Sequence, residues 1–171
     1  NTVGTGITAI GTSALRYNIS GNTLTAVGDR ALCGNTTGVR NNAFGAVALK
    51  NNTTGRYNTA LGDYSLCSNT IGRGNIAVGI NTLRCNTTGE HNVAVGYNAL
   101  FNNTLGVCNV GIGKDALLNN TTGNWNTSVG RESLRYNTVG TNNTALGSQA
   151  LLKNTSGRLN TAVGTAASQQ N

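Results

Sequence analysis

Small apolar and aliphatic residues recur along this chain at a fixed interval. Ala-Ile-Gly, Ala-Val-Gly, Ala-Phe-Gly and their variants end on Gly11, Gly28, Gly45, Gly62, Gly79 and so on to Gly164, and every step is 17 residues. The unit reads N-T-A-V-G-x-x-A-L-x-x-N-T-T-G-x-x. We number its positions 1 to 17, with Ile7 at the first position 1, so the chain runs from a position 12 (Asn1) to a position 12 (Asn171). About ten copies fit without insertion or deletion, the signature of a stacked repeat architecture.

The positions divide into constant and variable sets. Positions 5 and 15 are Gly in all ten copies, position 12 is Asn throughout, position 9 is Leu in nine of ten, and position 4 is always Val, Leu, Ile or Phe. Position 13 is Thr in nine of ten. Positions 6, 7, 10, 11, 16 and 17 vary, and they hold all 17 charged residues, seven of the eight aromatics and all four cysteines. Charged side chains are almost never fully buried, so three two-residue segments per unit face water and the stretches between them are packed or paired. Five residues around positions 1 to 5 have strand length, and a 17-residue unit is too short for a helical hairpin repeat.

This pattern predicts an all-β fold, a parallel β-solenoid (β-roll) of about ten 17-residue coils filling residues 1–171 as one repeat array. Two or three short strands are expected per coil. Position 4 and the Leu at position 9 are expected to fill the interior, with positions 1, 3 and 5 turned outward to form a long uncharged face. Gly at positions 5 and 15 suits corners that need positive φ or close backbone approach. Asn18, Asn35, Asn52, Asn69, Asn86, Asn103, Asn120, Asn137 and Asn154 form an expected inward ladder of amides, each satisfied by its neighbour or by a turn carbonyl.

Composition sharpens the picture. The chain has 171 residues with 24 Gly, no Pro, no Met, one Trp and two Phe, so it cannot fill the thick core of an ordinary globular enzyme of this length. Neither end of the array shows a polar cap, which suggests a native chain that continues or stacks on other molecules. No stretch approaches 18 apolar residues, so no membrane insertion is expected.

Asn58 to Leu66 (N-T-A-L-G-D-Y-S-L) and Asn92 to Leu100 (N-V-A-V-G-Y-N-A-L) resemble the Ala-(Val/Ile)-Gly-x-x-Ala repeats in the heads of trimeric autotransporter adhesins. The Asn86 to Gly89 segment (N-T-T-G) is similar to repeats in viral tail-fibre proteins. The resemblance covers the whole chain. It implies a trimeric parallel β-roll on a cell surface or virion that binds a surface or spaces a receptor-binding tip. The 17-residue unit and the four cysteines depart from the usual adhesin pattern.

Chemistry is sparse. His91, the only histidine, sits beside Glu90 in variable positions, and the five carboxylates fall on separate coils, so neither catalysis, a metal cluster nor a cofactor is expected. Gly111-Ile112-Gly113-Lys114-Asp115 has a faint phosphate-loop look, but Asp115 replaces the Ser or Thr, and an ordinary corner at position 5 explains it. Cys67 and Cys85 on adjacent coils are within possible bridging reach, whereas Cys33 and Cys67 are two coils apart, and Cys108 has no neighbouring partner. Free surface thiols are the expectation.

The net charge of +7 allows an anionic partner such as a surface glycan or another polyanion. Arg16, Lys50, Arg84 and Arg135 share position 10. Without regularly interleaved aromatic platforms, nucleic-acid binding is not expected. The expected function is a structural and adhesive module of an extracellular or virion fibre whose main partner is itself, as a homotrimer or in lateral fibre packing. The alternative is ice binding through the column Thr36, Thr53, Thr70, Thr87, Thr104, Thr121, Thr138 and Thr155, since ice-binding solenoids display such flat Thr arrays.

Overall fold

The computed structural model describes residues 3–169; Asn1 and Asn171, the outermost members of the position-12 column, lie outside them. The chain is a parallel β-solenoid. Ten strands, from β1 (Ile7–Ile10) and β2 (Leu24–Val27) to β10 (Thr161–Val163), form one sheet whose spatial order is the sequence order. Each pair is parallel and offset by one repeat, so that Ala43 faces Ala60 and Asn42 faces Thr59. The strands fall where Thr, Val and Ile cluster, residues whose branching suits a pleated surface.

There is one strand per coil rather than two or three. The remaining residues are turns, yet their backbone bonds to adjacent coils almost as fully as a strand does. The N–H of Gly28 reaches Ile10 O on the preceding coil at 2.8 Å and that of Arg30 reaches Thr12 O at 2.8 Å, while the N–H groups of Leu32 and Gly34 turn to Ala48 O and Lys50 O on the following coil at 3.0 and 2.7 Å. A chain that aims successive peptide groups along the axis must swing its dihedrals, and positions 7 and 9 have positive φ in every coil. The nine Leu residues at position 9 lie at φ 48° to 53°, a conformation that costs an L-residue roughly 1–2 kcal/mol. Inter-coil hydrogen bonding and burial of the same side chain offset that cost.

The interior has an apolar half and an amide half. Leu at position 9 and Ala at positions 3 and 8 form the core cluster, essentially without solvent exposure from Leu32 to Leu151. In coil seven, where Gly111 replaces Ala at position 3, an added Cβ would sit 3.2 Å from Leu100 Cγ of coil six, so position 3 packs on the position-9 Leu of the preceding coil. The amide half holds two Asn columns. The expected one, at position 12, is buried, and each Nδ2 donates both to the Oδ1 of the preceding coil's Asn and to its own coil's position-15 carbonyl, as Asn52 does to Asn35 (2.9 Å) and Gly55 (3.0 Å).

The second column corrects the expected strand orientation. Asn at position 1 turns inward, so alternation buries Ala at position 3 and sends positions 2 and 4 outward. Asn58 donates its backbone N–H to Asn41 Oδ1 (2.9 Å) and its Nδ2 to Gly72 O (2.9 Å). Position 4 is therefore outside: Ile10 is 60% exposed and Leu61 50%. The narrow interior accepts a methyl group opposite Leu, not a second large side chain, and satisfied amides take the remaining space.

The two glycine positions do different work. Position 5 has φ between 116° and 134°, a backbone that side chains avoid. Position 15 has no such φ; there the reason is space, because a Cβ on Gly89 would press on the Asn86 side-chain oxygen and the Gly106 carbonyl.

Candidate functional site

The strand face is the broadest regular surface. Its outward columns are position 2, six of ten Thr with Asn42, Ile76, Val93 and Val110 between, and position 4, wholly aliphatic apart from Phe44. No charge falls in either column. Neighbouring rows are about 4.8 Å apart, so ten of them make an uncharged strip about 43 Å long. Six of its position-4 side chains, among them Leu61, Ile112 and Val163, are exposed.

The Thr column lies at a corner built around carbonyls. Thr53 O accepts the backbone N–H groups of Thr36, Thr37 and Gly38 at 3.0 to 3.2 Å and the Thr36 hydroxyl at 3.0 Å. The same hydroxyl bond repeats up the column from Thr53, Thr70, Thr87, Thr104 and Thr121 to the next Thr carbonyl, and Thr138 donates to Thr155 O at 3.1 Å. These hydroxyl hydrogens are engaged within the coil stack.

The variable corners carry the titratable groups. Arg73 pairs with Glu90 at 2.9 Å across adjacent coils, Arg30 with its neighbour Asp29 at 2.8 Å, and Glu132 with Arg135 at 3.2 Å. A hydrogen bond from Gln149 (2.7 Å), aided by Arg131, Arg135 and Lys114, holds the Glu132 carboxyl below the usual carboxylate range. Asp115 departs from the expectation that charged side chains face water: it is buried, and its carboxylate accepts from Asn98 Nδ2 at 3.1 Å. His91 and Glu90 lie side by side at the surface, 4.0 Å apart.

All four cysteines are free thiols, but not all at the surface: Cys33 is buried, Cys67 and Cys85 are half-buried, and Cys108 is exposed. Burial pushes the Cys67 and Cys85 thiols up, opposed at Cys67 by Lys50 and Arg84. Among the described residues there is no cavity, no group of three His, Cys, Asp or Glu placed to hold a metal ion, and no helix long and apolar enough to cross a membrane. Lys114 and Asp115 stand on an ordinary turn after Gly113.

No family model, curated protein or solved structure matches this chain.

The fold brings together the position-12 Asn column from Asn18 to Asn154 and the position-13 Thr column from Thr36 to Thr155, as the repeat requires. Sequence reasoning missed the second Asn column and the outward aliphatic stripe. Both had a signal, since position 1 is Asn in eight of ten copies, and an amide recurring at one position of a stack can be buried when its neighbours satisfy it.

Proposed function

We propose that the chain is a structural and adhesive module of an extracellular or virion fibre, a rod that associates with copies of itself through its strand face. The supporting observation is the uncharged strip of outward Thr and aliphatic side chains over ten consecutive strands. A contiguous apolar surface of this kind marks an interaction site. A second copy suits it, because like strips are complementary: neither carries a charge to desolvate, and both repeat at the same spacing. The resemblance to trimeric adhesin heads and tail-fibre repeats favours three rods side by side.

For the alternative, ice binding by the position-13 Thr column, the hydroxyl bonds already described favour a structural ladder. Loss of ice-recrystallisation inhibition on Thr87→Tyr would support ice binding; an inactive parent would remove it.

Light scattering tests the main reading. The parent is expected to have the mass of a trimer or larger assembly, and Leu61→Lys with Val95→Lys, which place charge mid-strip, to reduce it to a monomer. A parent that is monomeric at high concentration overturns the proposal.

A further inference from the structure

We propose that the corner at positions 10 and 11 is a binding site for a linear acidic polysaccharide. The basis is how the fold sorts charge. Positions 6 and 7 bring together three bases and four acids, and positions 16 and 17 four bases and one acid. Positions 10 and 11 hold Arg16, Lys50, Arg84, Arg135 and Lys153 and no acid at all. The corners carry −1, +3 and +5, so most of the chain's +7 lies along one ridge. This ridge follows the Leu column and shares no residue with the strand face, so the proposal is independent of self-association.

The strongest part of the ridge spans coils one to five. Arg135 is tied to Glu132 at 3.2 Å. Among the described residues, Arg16, Lys50 and Arg84 have no carboxylate within 4.0 Å. They stand two coils apart, about 9.6 Å from one to the next. Two of them are held by aromatic rings: Arg16 lies over Tyr17 at 5.3 Å, and Arg84 lies over both Tyr64 at 4.9 Å and Phe101 at 5.7 Å. Such stacking fixes a guanidinium without neutralising it; Arg84 gives one Nη1 hydrogen to Asn81 Oδ1 at 3.3 Å, and its other donors remain for a carboxylate or sulfate.

Spacing selects the polymer. Along the axis of a nucleic-acid duplex each strand advances about 3.4 Å per phosphate, so a row of cations about 9.6 Å apart would meet one in three. A polysaccharide charged once per one or two sugar rings has a coarser repeat that suits this row. Tyr17, Tyr64 and Phe101 also commit ring faces to arginines, where a single-strand binder keeps them open for bases.

The test measures binding of the whole chain to hyaluronate, a linear polymer with one carboxylate per two sugar rings, to neutral dextran and to poly(dT). The parent is expected to bind hyaluronate, with affinity falling as salt rises, and not neutral dextran. Substituting Arg16→Gln, Lys50→Gln and Arg84→Gln together should lower affinity about tenfold or more, while Arg40→Gln, Arg56→Gln and Arg158→Gln, an equal change in net charge on another corner, should lower it less than about threefold. Should the ridge variant lose its β-sheet circular dichroism, Lys50→Gln alone carries the test, with a loss of about twofold or more against no change for Arg158→Gln. Equal losses from the two corners, poly(dT) bound as tightly as hyaluronate, or no binding by the parent overturns the proposal. Because neither set of substitutions touches the strand strip, the assembly mass is expected to stay that of the parent.

Discussion

The two halves of the coil interior obey different rules. In the apolar half, identity drifts: Ala at position 3 gives way to Gly111 and Ser128, and Ala at position 8 to Ser65, Thr82 and Ser133. The intruding hydroxyls are satisfied locally, Ser65 Oγ by Gly62 O and Thr82 Oγ1 by Gly79 O at 2.9 Å, and Ser128 bonds Ser133 across the coil. In the amide half nothing drifts at positions 12 and 15. Apolar contact is non-directional and tolerates a methyl more or less, whereas each amide has two donors and an acceptor that must each meet a partner, some on its own coil and some on the next. Gly89 O, for example, accepts from both Asn86 and Asn75 of its own coil. The apolar half supplies cohesion and the amide half sets register.

Substitutions can set the halves against each other. Asn86→Leu keeps the branched shape and the number of heavy atoms and adds apolar surface, but leaves Asn69 Oδ1 and one Asn103 Nδ2 hydrogen unpaired in the interior. At roughly 1–3 kcal/mol for each orphaned group, it should cost about 4 kcal/mol in denaturant unfolding. Leu83→Ala, the largest single loss available in the apolar half, should cost about 3 kcal/mol. An Asn86→Leu variant more stable than Leu83→Ala would show that the amides are not the more demanding partners. Ala60→Ser, which reproduces beside Ser65 the serine pair of coil eight, should cost under about 1 kcal/mol, because its hydroxyl finds a partner. On the exterior, Thr23 sits exposed at φ 55°, and Thr23→Asn should raise stability by about 0.5 kcal/mol by placing a residue that tolerates the left-handed region.

The rim also has a pH signature. Since folding lowers the Glu132 pKa, its stabilisation is present above the ordinary carboxylate range and is lost as pH falls through the lowered value. Glu132→Gln is expected to flatten the acid limb of the stability curve slightly and leave the neutral region nearly unchanged, a smaller effect than that of either interior half.

Invariance made the coil legible from sequence. A 17-residue step without a slip gave the stacking, and Asn at every position 12 and Leu at nearly every position 9 marked two of the inward columns. The strand misled because Val, Leu, Ile and Phe at position 4 look like core. Only knowing that Asn58 and its equivalents turn inward reverses the alternation, and the register of a strand flips all its side chains together. The positive φ at nine leucines was hidden for another reason: no residue preference points to it, since Leu is held there by inter-coil bonding and packing rather than by its own conformational tendency.

Side-chain amide hydrogen exchange, followed by NMR, tests the paired Asn columns most directly. The Nδ2 protons of Asn52, Asn69, Asn86 and Asn103, and of Asn58, Asn75 and Asn92, should be strongly protected, whereas those of exposed Asn51 should exchange as in a free peptide. Exchange of the two buried columns at the Asn51 rate would contradict an amide-filled interior and, with it, the outward strand face on which the proposed self-association depends.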